Sequence, residues 1–150
     1  MTSDGVFELG TDGPRVIVVG VDGTETSLHA AAYAWGLARR SGARLLVVHV
    51  ASVASITTMA PGGAAVMREA DQQVVDELRA QLAQVGERDG VAYELITEQG
   101  DAVAALSRVA DEHRADAVVV GASAQAGHKL IGSVAVRLVR AGRWPVTVVP

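Results

Sequence analysis

Apolar runs of strand length alternate along this chain with stretches of helical period, and that alternation constrains the fold more than any single motif. Val16–Val21, Leu45–Val50, Val118–Val120 and Val146–Val149 are near-continuous and rich in β-branched residues. Continuous rather than alternating apolar runs mark strands buried on both faces. A fifth run, Val91–Thr97, includes Tyr93 and Glu94 and suits a less buried strand. Helical stripes fill the gaps. The Thr24–Ser27 caps open a helix to about Arg40, with Leu28, Ala31, Ala32, Trp35 and Ala38 on one face. A longer helix over about 64–88 carries Met67, Ala70, Val74, Leu78, Leu82 and Val85 inward. Asp101 caps a third, through about His113, that buries Val103, Leu106 and Ala110. Ser133 caps the last, with Val134, Ala135, Leu138 and Val139 as its stripe and Gly142 as its stop. Every strand-to-strand connection therefore contains a helix. Such crossovers are right-handed and give an α/β domain with a parallel sheet covered on both sides.

At 150 residues the chain suits a single domain, expected over 15–150, behind a flexible lead-in at 1–14. The stretch 51–63 is expected to be a mobile loop above the sheet. Formal net charge is −4, which gives no electrostatic reason to expect nucleic-acid binding. The absence of cysteine removes disulfides, thiolate catalysis and Cys-based zinc sites. Neither a signal peptide nor a membrane span is legible, so the expectation is a cytoplasmic protein with no membrane partner.

Two strand–glycine units stand out, Arg15-Val-Ile-Val-Val-Gly20-Val-Asp22-Gly23 and Asp116-Ala-Val-Val-Val-Gly121, the second followed by a small-residue loop to Gly132-Ser133. A strand, a small-residue turn and a helix start form a ready anion site, because the first N–H groups of a helix lack partners and its dipole attracts negative charge. The loop is neither a Walker A loop nor a G-x-G-x-x-G fingerprint. Two readings stay open: an ordinary βα loop with a serine cap, or a backbone cradle for phosphate. Asp22 is likewise either a turn and capping group or an acceptor for a ligand's hydroxyls. His128 and Lys129 are either surface residues or cations facing phosphate. His49 reads as a hydrogen-bonded core residue, whereas His29 and His113 have no partners at ligand spacing. No cluster fits a protein-held metal, and no triad or nucleophile elbow is present, so an enzyme is not expected. Arg137, Arg140 and Arg143 read as solvated charges complementing a helix end.

These pieces together resemble the universal stress protein family. The resemblance covers Val16 to Pro150 through Val-Ile-Val-Val-Gly-Val-Asp-Gly, Leu-Leu-Val-Val-His-Val, Gly100-Asp101, Ala-Asp-Ala-Val-Val-Val-Gly, and Gly132-Ser133 with Pro145-Val-Thr-Val-Val. It implies a Rossmann-like sheet of five parallel strands in the order 3-2-1-4-5, a homodimer, and a regulatory stress-response role. Some members bind ATP and others do not. By resemblance, Gly20, Val21 and Asp22 meet adenine and ribose, and the Val50 backbone meets the adenine edge. Gly121, Gly132, Ser133, Val134 and Ala135 meet the phosphates, with Mg²⁺ held only through the nucleotide. ATP-binding members share a loop Gly-x2-Gly-x9-Gly-Ser/Thr, where this chain reads Gly121-x2-Ala124-x7-Gly132-Ser133. Ala124 replaces the second glycine and the loop is two residues shorter. The expected ligand is thus ATP or a related adenine nucleotide, with the adenosine half of the site intact and the triphosphate half weakened. The alternative is a member that binds no nucleotide and acts through dimerisation and protein partners.

Overall fold

The computed structural model describes residues 13–51, 61–125 and 128–150. Its elements are β1 (Val16–Val21), α1 (Glu25–Ser41), β2 (Arg44–Ala51), α2 (Gly63–Asp89), β3 (Tyr93–Gln99) and α3 (Ala102–Glu112). Then follow β4 (Ala117–Gly121), β5 (Ser123–Gln125), β6 (His128–Leu130), α4 (Ser133–Ala141) and β7 (Val146–Val149). Five strands form one parallel sheet in the order β3-β2-β1-β4-β7, which is the expected 3-2-1-4-5 arrangement counted over the principal strands. The additional feature is a small antiparallel ribbon of β5 and β6, with Ser123 opposite Leu130 and Gln125 opposite His128. The lead-in up to residue 12, most of the loop over 51–63, and Gly127 lie outside the described residues.

Alternation along β1 explains why its whole run is apolar. Ile17, Val19 and Val21 face Ala30, Ala34, Ala38 and the α2 residues Leu78 and Leu82, whereas Val18 faces Leu106, Val109 and Leu138. Ile17, Val18 and Val19 are completely buried. The sheet is a double-faced core, with helices supplying both covers.

Several helical faces differ from the expected stripes. On α1 the sheet-facing residues are Ala30, Ala34 and Ala38 with Trp35, while Leu28 is 40% exposed and Ala32 is exposed. Small residues allow that helix to lie close to the strands, so the largest apolar side chain of its first turns is not the inward one. On α2, Val75 joins Leu78 and Leu82 in the core and Ala70 is exposed. On α4, Val139 is 58% exposed, and burial centres on Ala135 and Leu138. β3 begins two residues later than Val91: Gly90 caps α2 in the left-handed region and Ala92 receives the Leu45 N–H. Among the described residues, no helix is long and apolar enough to cross a membrane.

Candidate functional site

Neighbours in the sheet diverge between β1 and β4, since the chain runs from β1 outward to β2 and β3 and returns to place β4 and β7 on the other side. Open parallel sheets leave a crevice at such a reversal, outside the carboxyl ends of the strands. A cavity of about 380 Å³ occupies it. Gly20, Val21, Asp22, Val50, Gly121, Gly132, Ser133, Val134 and Ala135 all line it, so the structure brings together every residue that the resemblance singled out. Sequence reasoning missed Thr26 as a lining residue, along with Ser123, Val48 and Leu106. The hydroxyls of Thr24 to Ser27 were legible as helix caps, but nothing in their spacing says that they also face a cavity.

The first turn of α1 forms one wall. Thr24 is the N-cap, and its hydroxyl oxygen accepts the Ser27 N–H at 3.3 Å. Asp22 Oδ1 accepts both the Thr24 N–H at 2.9 Å and the Thr24 hydroxyl at 2.6 Å. Partial burial works against ionisation of Asp22. Hydrogen bonds from the Thr24 hydroxyl and N–H, with the Ser27 hydroxyl nearby, outweigh it and hold the carboxyl below the ordinary carboxylate range. Gly23 makes this tight turn possible with φ +86°, with Val74 of α2 packed over the turn. The turn and ligand readings of Asp22 are therefore compatible, since its Oδ1 organises the turn while the residue lines the cavity.

Gly121 has a structural cause of its own. A Cβ built there would lie 2.5 Å from the Thr26 carbonyl carbon and 2.6 Å from the Ser27 nitrogen, both main-chain atoms of α1. The Thr26 hydroxyl donates to the Ala122 carbonyl at 2.6 Å across the same junction. Gly121 lets the end of β4 dock on the start of α1. Gly20 similarly leaves room for Leu106, whose Cδ1 would lie 3.2 Å from an added Cβ.

The opposite wall is the start of α4. Its N-cap is Gly132, not Ser133, and no side chain caps it. Ser133 is instead the first helical residue. The Val136 N–H is the one that reaches back to the Gly132 carbonyl, at 3.1 Å, so the N–H groups of Ser133, Val134 and Ala135 have no intrahelical acceptor. A Cβ at Gly132 would meet Ser123 Cβ at 3.0 Å, so this glycine seats α4 against the neck of the β5–β6 ribbon. Ala124 lies in extended β5, and among the described residues only Arg114 is a non-glycine with positive φ. At Ala124 the chain therefore needs no left-handed conformation. It pairs there with Lys129 of β6.

Among the described lining residues, Asp22 is the sole charged one. Arg137, one turn further along α4, is half-exposed and is also paired. Its Nη1 and Nη2 donate to the two Asp101 oxygens at 2.8 and 3.0 Å, which lowers the Asp101 pKa and raises that of Arg137. Arg143 likewise pairs with Asp111 at 2.5 Å and stacks over Trp144. His49 is buried on the far face of β2, with Nε2 4.0 Å from Asp71, and His29 Nδ1 lies 3.2 Å from the Pro150 carbonyl oxygen. The side chains of His128 and Lys129 lie outside what is described. Among the described residues, no three His, Asp or Glu side chains are grouped to hold a metal ion.

The family model of the universal stress protein family matches residues 14–150. A universal stress protein of Methanocaldococcus jannaschii is 27% identical over 138 residues, covering 90% of this chain and 81% of that protein. The crystal structure of a universal stress protein family member from Burkholderia pseudomallei superposes with TM-score 0.68 at 31% identity, over 90% of this chain and 95% of its own. The crystal structure of a universal stress protein in complex with cAMP superposes with TM-score 0.64 at 27% identity, over 91% and 96%.

Proposed function

Since this chain belongs to the universal stress protein family, we propose that it is a regulatory, stress-response module that binds an adenine nucleotide in the cavity at the ends of β1, β2 and β4. One observation carries the reading. The nine candidate positions come from four separate stretches of chain and converge on a single concave site. The relative solved with cAMP supports the ligand class.

In this reading the base lies between β2 and α3, against Val48, Val50 and Leu106. Backbone groups of the even-numbered β2 residues point toward β1, as the Arg44 N–H donating to the Arg15 carbonyl shows. Pairing with β1 ends at Val21 opposite His49. The Val50 carbonyl therefore points past the end of β1, an acceptor suited to the exocyclic amine of adenine. Asp22, ionised at neutral pH, accepts from ribose hydroxyls. A phosphate rests on the N–H groups of Ser133, Val134 and Ala135 at the α4 start. Any Mg²⁺ arrives on the phosphates of the ligand.

Binding fits this site better than catalysis. A carboxyl held below its ordinary range by Thr24 is a poor general base at neutral pH, and the described lining offers no histidine, lysine or cysteine to act instead. Freshly purified protein, denatured and chromatographed for released adenine nucleotide, tests the reading, with calorimetric titration of the refilled site as its complement. If no adenine nucleotide is released and none binds at millimolar concentration, the reading fails. The second reading then takes its place, favoured by one observation: among the described residues β7 pairs only with β4, leaving its outer edge for a second copy or a partner.

A further inference from the structure

We propose a second binding site, on the opposite face of the sheet from the crevice, that takes the ammonium and carboxylate head of a free α-amino acid. It stands independently of the adenine-nucleotide reading. A groove of about 990 Å³ lies between α2 and the ends of β2 and β3. Further back along the strands the same three elements enclose core. Leu45 and Val47 of β2 and Leu78 and Leu82 of α2 are buried there, with Tyr93 and Leu95 of β3 packed against them. Toward the strand ends all three walls turn polar at one level. His49 is paired in register with Thr97, and Ala51 with Gln99. On the inward stripe of α2, Val75 is followed toward the N-terminus by Asp71 and Arg68, which also line the groove.

Three of these residues define the head of the ligand. The His49 side chain is only 3% exposed, and its Nε2 stands 4.0 Å from Asp71 Oδ1, too far for a hydrogen bond. Neither ring nitrogen has a hydrogen-bond partner among the described residues. A buried polar group needs one, and His49 borders the groove from which it can come. A donor about 2.9 Å from both atoms fits the gap, and an ammonium can donate to a neutral imidazole and a carboxylate at once. Asp71 supplies its counter-charge. Arg68 lies one turn away on the same helical face, and among the described residues it pairs with no carboxylate, Asp71 included. The other charges of the lining are engaged, Glu98 with Arg108 at 2.6 Å and Arg79 with Asp76 at 3.5 Å. The stretch 52–60 that follows Ala51 in the sequence contains no charged residue. The groove thus presents a negative and a positive pole with roughly 5–6 Å between their Cβ atoms, and a small zwitterion satisfies both. Water can bridge His49 and Asp71 as well, but it leaves Arg68 unused. The volume exceeds what an amino acid fills, so the site selects the head and leaves the side chain in the open groove.

Amide-resolved NMR titration of the full chain at about pH 8, where an imidazole is generally neutral, tests the proposal. The probes are L-alanine, N-acetyl-L-alanine, which lacks the ammonium, and L-alaninamide, which lacks the carboxylate. L-Alanine at millimolar concentration is expected to move the amide signals of Ala51, Asp71 and Gln99 and to leave those of Gly121 and Ser133 in place. Each derivative is expected to bind at least about tenfold more weakly, because each lacks one charged, hydrogen-bonded pole. Arg68→Gln and Asp71→Asn should weaken L-alanine binding by a similar factor. Arg68 is exposed and Asp71 only half-buried, so both variants should fold, and nucleotide binding in the crevice should be unchanged in each. Absence of any shift in the groove, or shifts confined to the crevice, overturns the proposal. Undiminished binding of N-acetyl-L-alanine would make the groove an anion site, and undiminished binding of L-alaninamide a cation site; either result sinks the zwitterion. A folded variant that binds L-alanine as the parent does would remove its residue as a pole and overturn the assignment.

Discussion

Adding one methyl group at Gly121 is the most informative perturbation of this fold. The Cβ of alanine would sit 2.5 Å from the Thr26 carbonyl carbon, 2.6 Å from the Ser27 nitrogen and 2.6 Å from the Thr26 oxygen. That is roughly 0.9 Å short of the 3.4 Å at which contact becomes ordinary. The opposing atoms are main chain and cannot rotate away, so the first turn of α1 must shift as a body. Overpacking of this kind costs about 1–3 kcal/mol. The shift also stretches the buried 2.6 Å bond from the Thr26 hydroxyl to the Ala122 carbonyl, and an orphaned buried polar pair adds about 1–3 kcal/mol. Gly121→Ala should therefore lose about 2–6 kcal/mol, a large share of the 5–15 kcal/mol typical of a domain. Urea unfolding followed by circular dichroism should show a lower midpoint at unchanged slope. The melting temperature should fall by about 4–24 °C at this chain length. A loss below about 0.5 kcal/mol would refute the claim that α1 backbone, rather than ligand approach, dictates this glycine.

The remaining predictions concern acid stability and assembly. Hydrogen bonds from the Arg88 guanidinium and the Trp35 indole N–H hold the Asp89 carboxyl down to about 2. A folded value below the unfolded carboxylate near 3.9 gives stability that is full above that value and drains away as pH falls toward about 2. Between about pH 4 and pH 2 the urea midpoint of Asp89→Asn should accordingly fall less steeply than that of the parent; equal slopes would remove Asp89 from the acid response. In β7, the Pro145 and Val149 carbonyls face β4, where they accept the Val118 and Ala122 N–H groups, so the Val148 N–H faces the open edge. If the protein is a homodimer through that edge, Val148→Pro should yield a folded monomer in size-exclusion chromatography with light scattering. A parent that is monomeric at micromolar concentrations, or a variant that still dimerises, would count against pairing through β7.

Strand runs were legible because burial on both faces leaves no room for polar residues between Ile17 and Val19 or between Leu45 and Val48. The helical faces were less so. A stripe marks which positions can face inward, but the sheet decides how close a helix lies, and α1 comes in on alanines with Leu28 left outside. β3 was misplaced by two residues because Val91 is apolar without being paired, a distinction set by the left-handed cap at Gly90. The β5–β6 ribbon had no hydrophobic signal at all. Three-residue strands are too short for periodicity, and the pairing of Ser123 with Leu130 is a property of the loop as a whole.

The site was legible for a different reason, and Gly121, Asp22 and Gly132 show its limits. Each was singled out as a ligand position, and each lines the cavity. Yet Gly121 is required by the α1 backbone, Asp22 by the Thr24 turn, and Gly132 by Ser123 at the ribbon neck. A crevice at the ends of parallel strands is bounded by the places where strands hand over to helices. Those places demand small residues, caps and turn formers whether or not a ligand follows. The motif therefore locates the crevice reliably while remaining silent about its occupant. What distinguishes occupants is the part of the lining that the handover does not require: the Val50 carbonyl beyond the end of β1 and the N–H groups at Ser133 to Ala135, which no side chain caps. In the proposed reading those two features receive an adenine base and a phosphate.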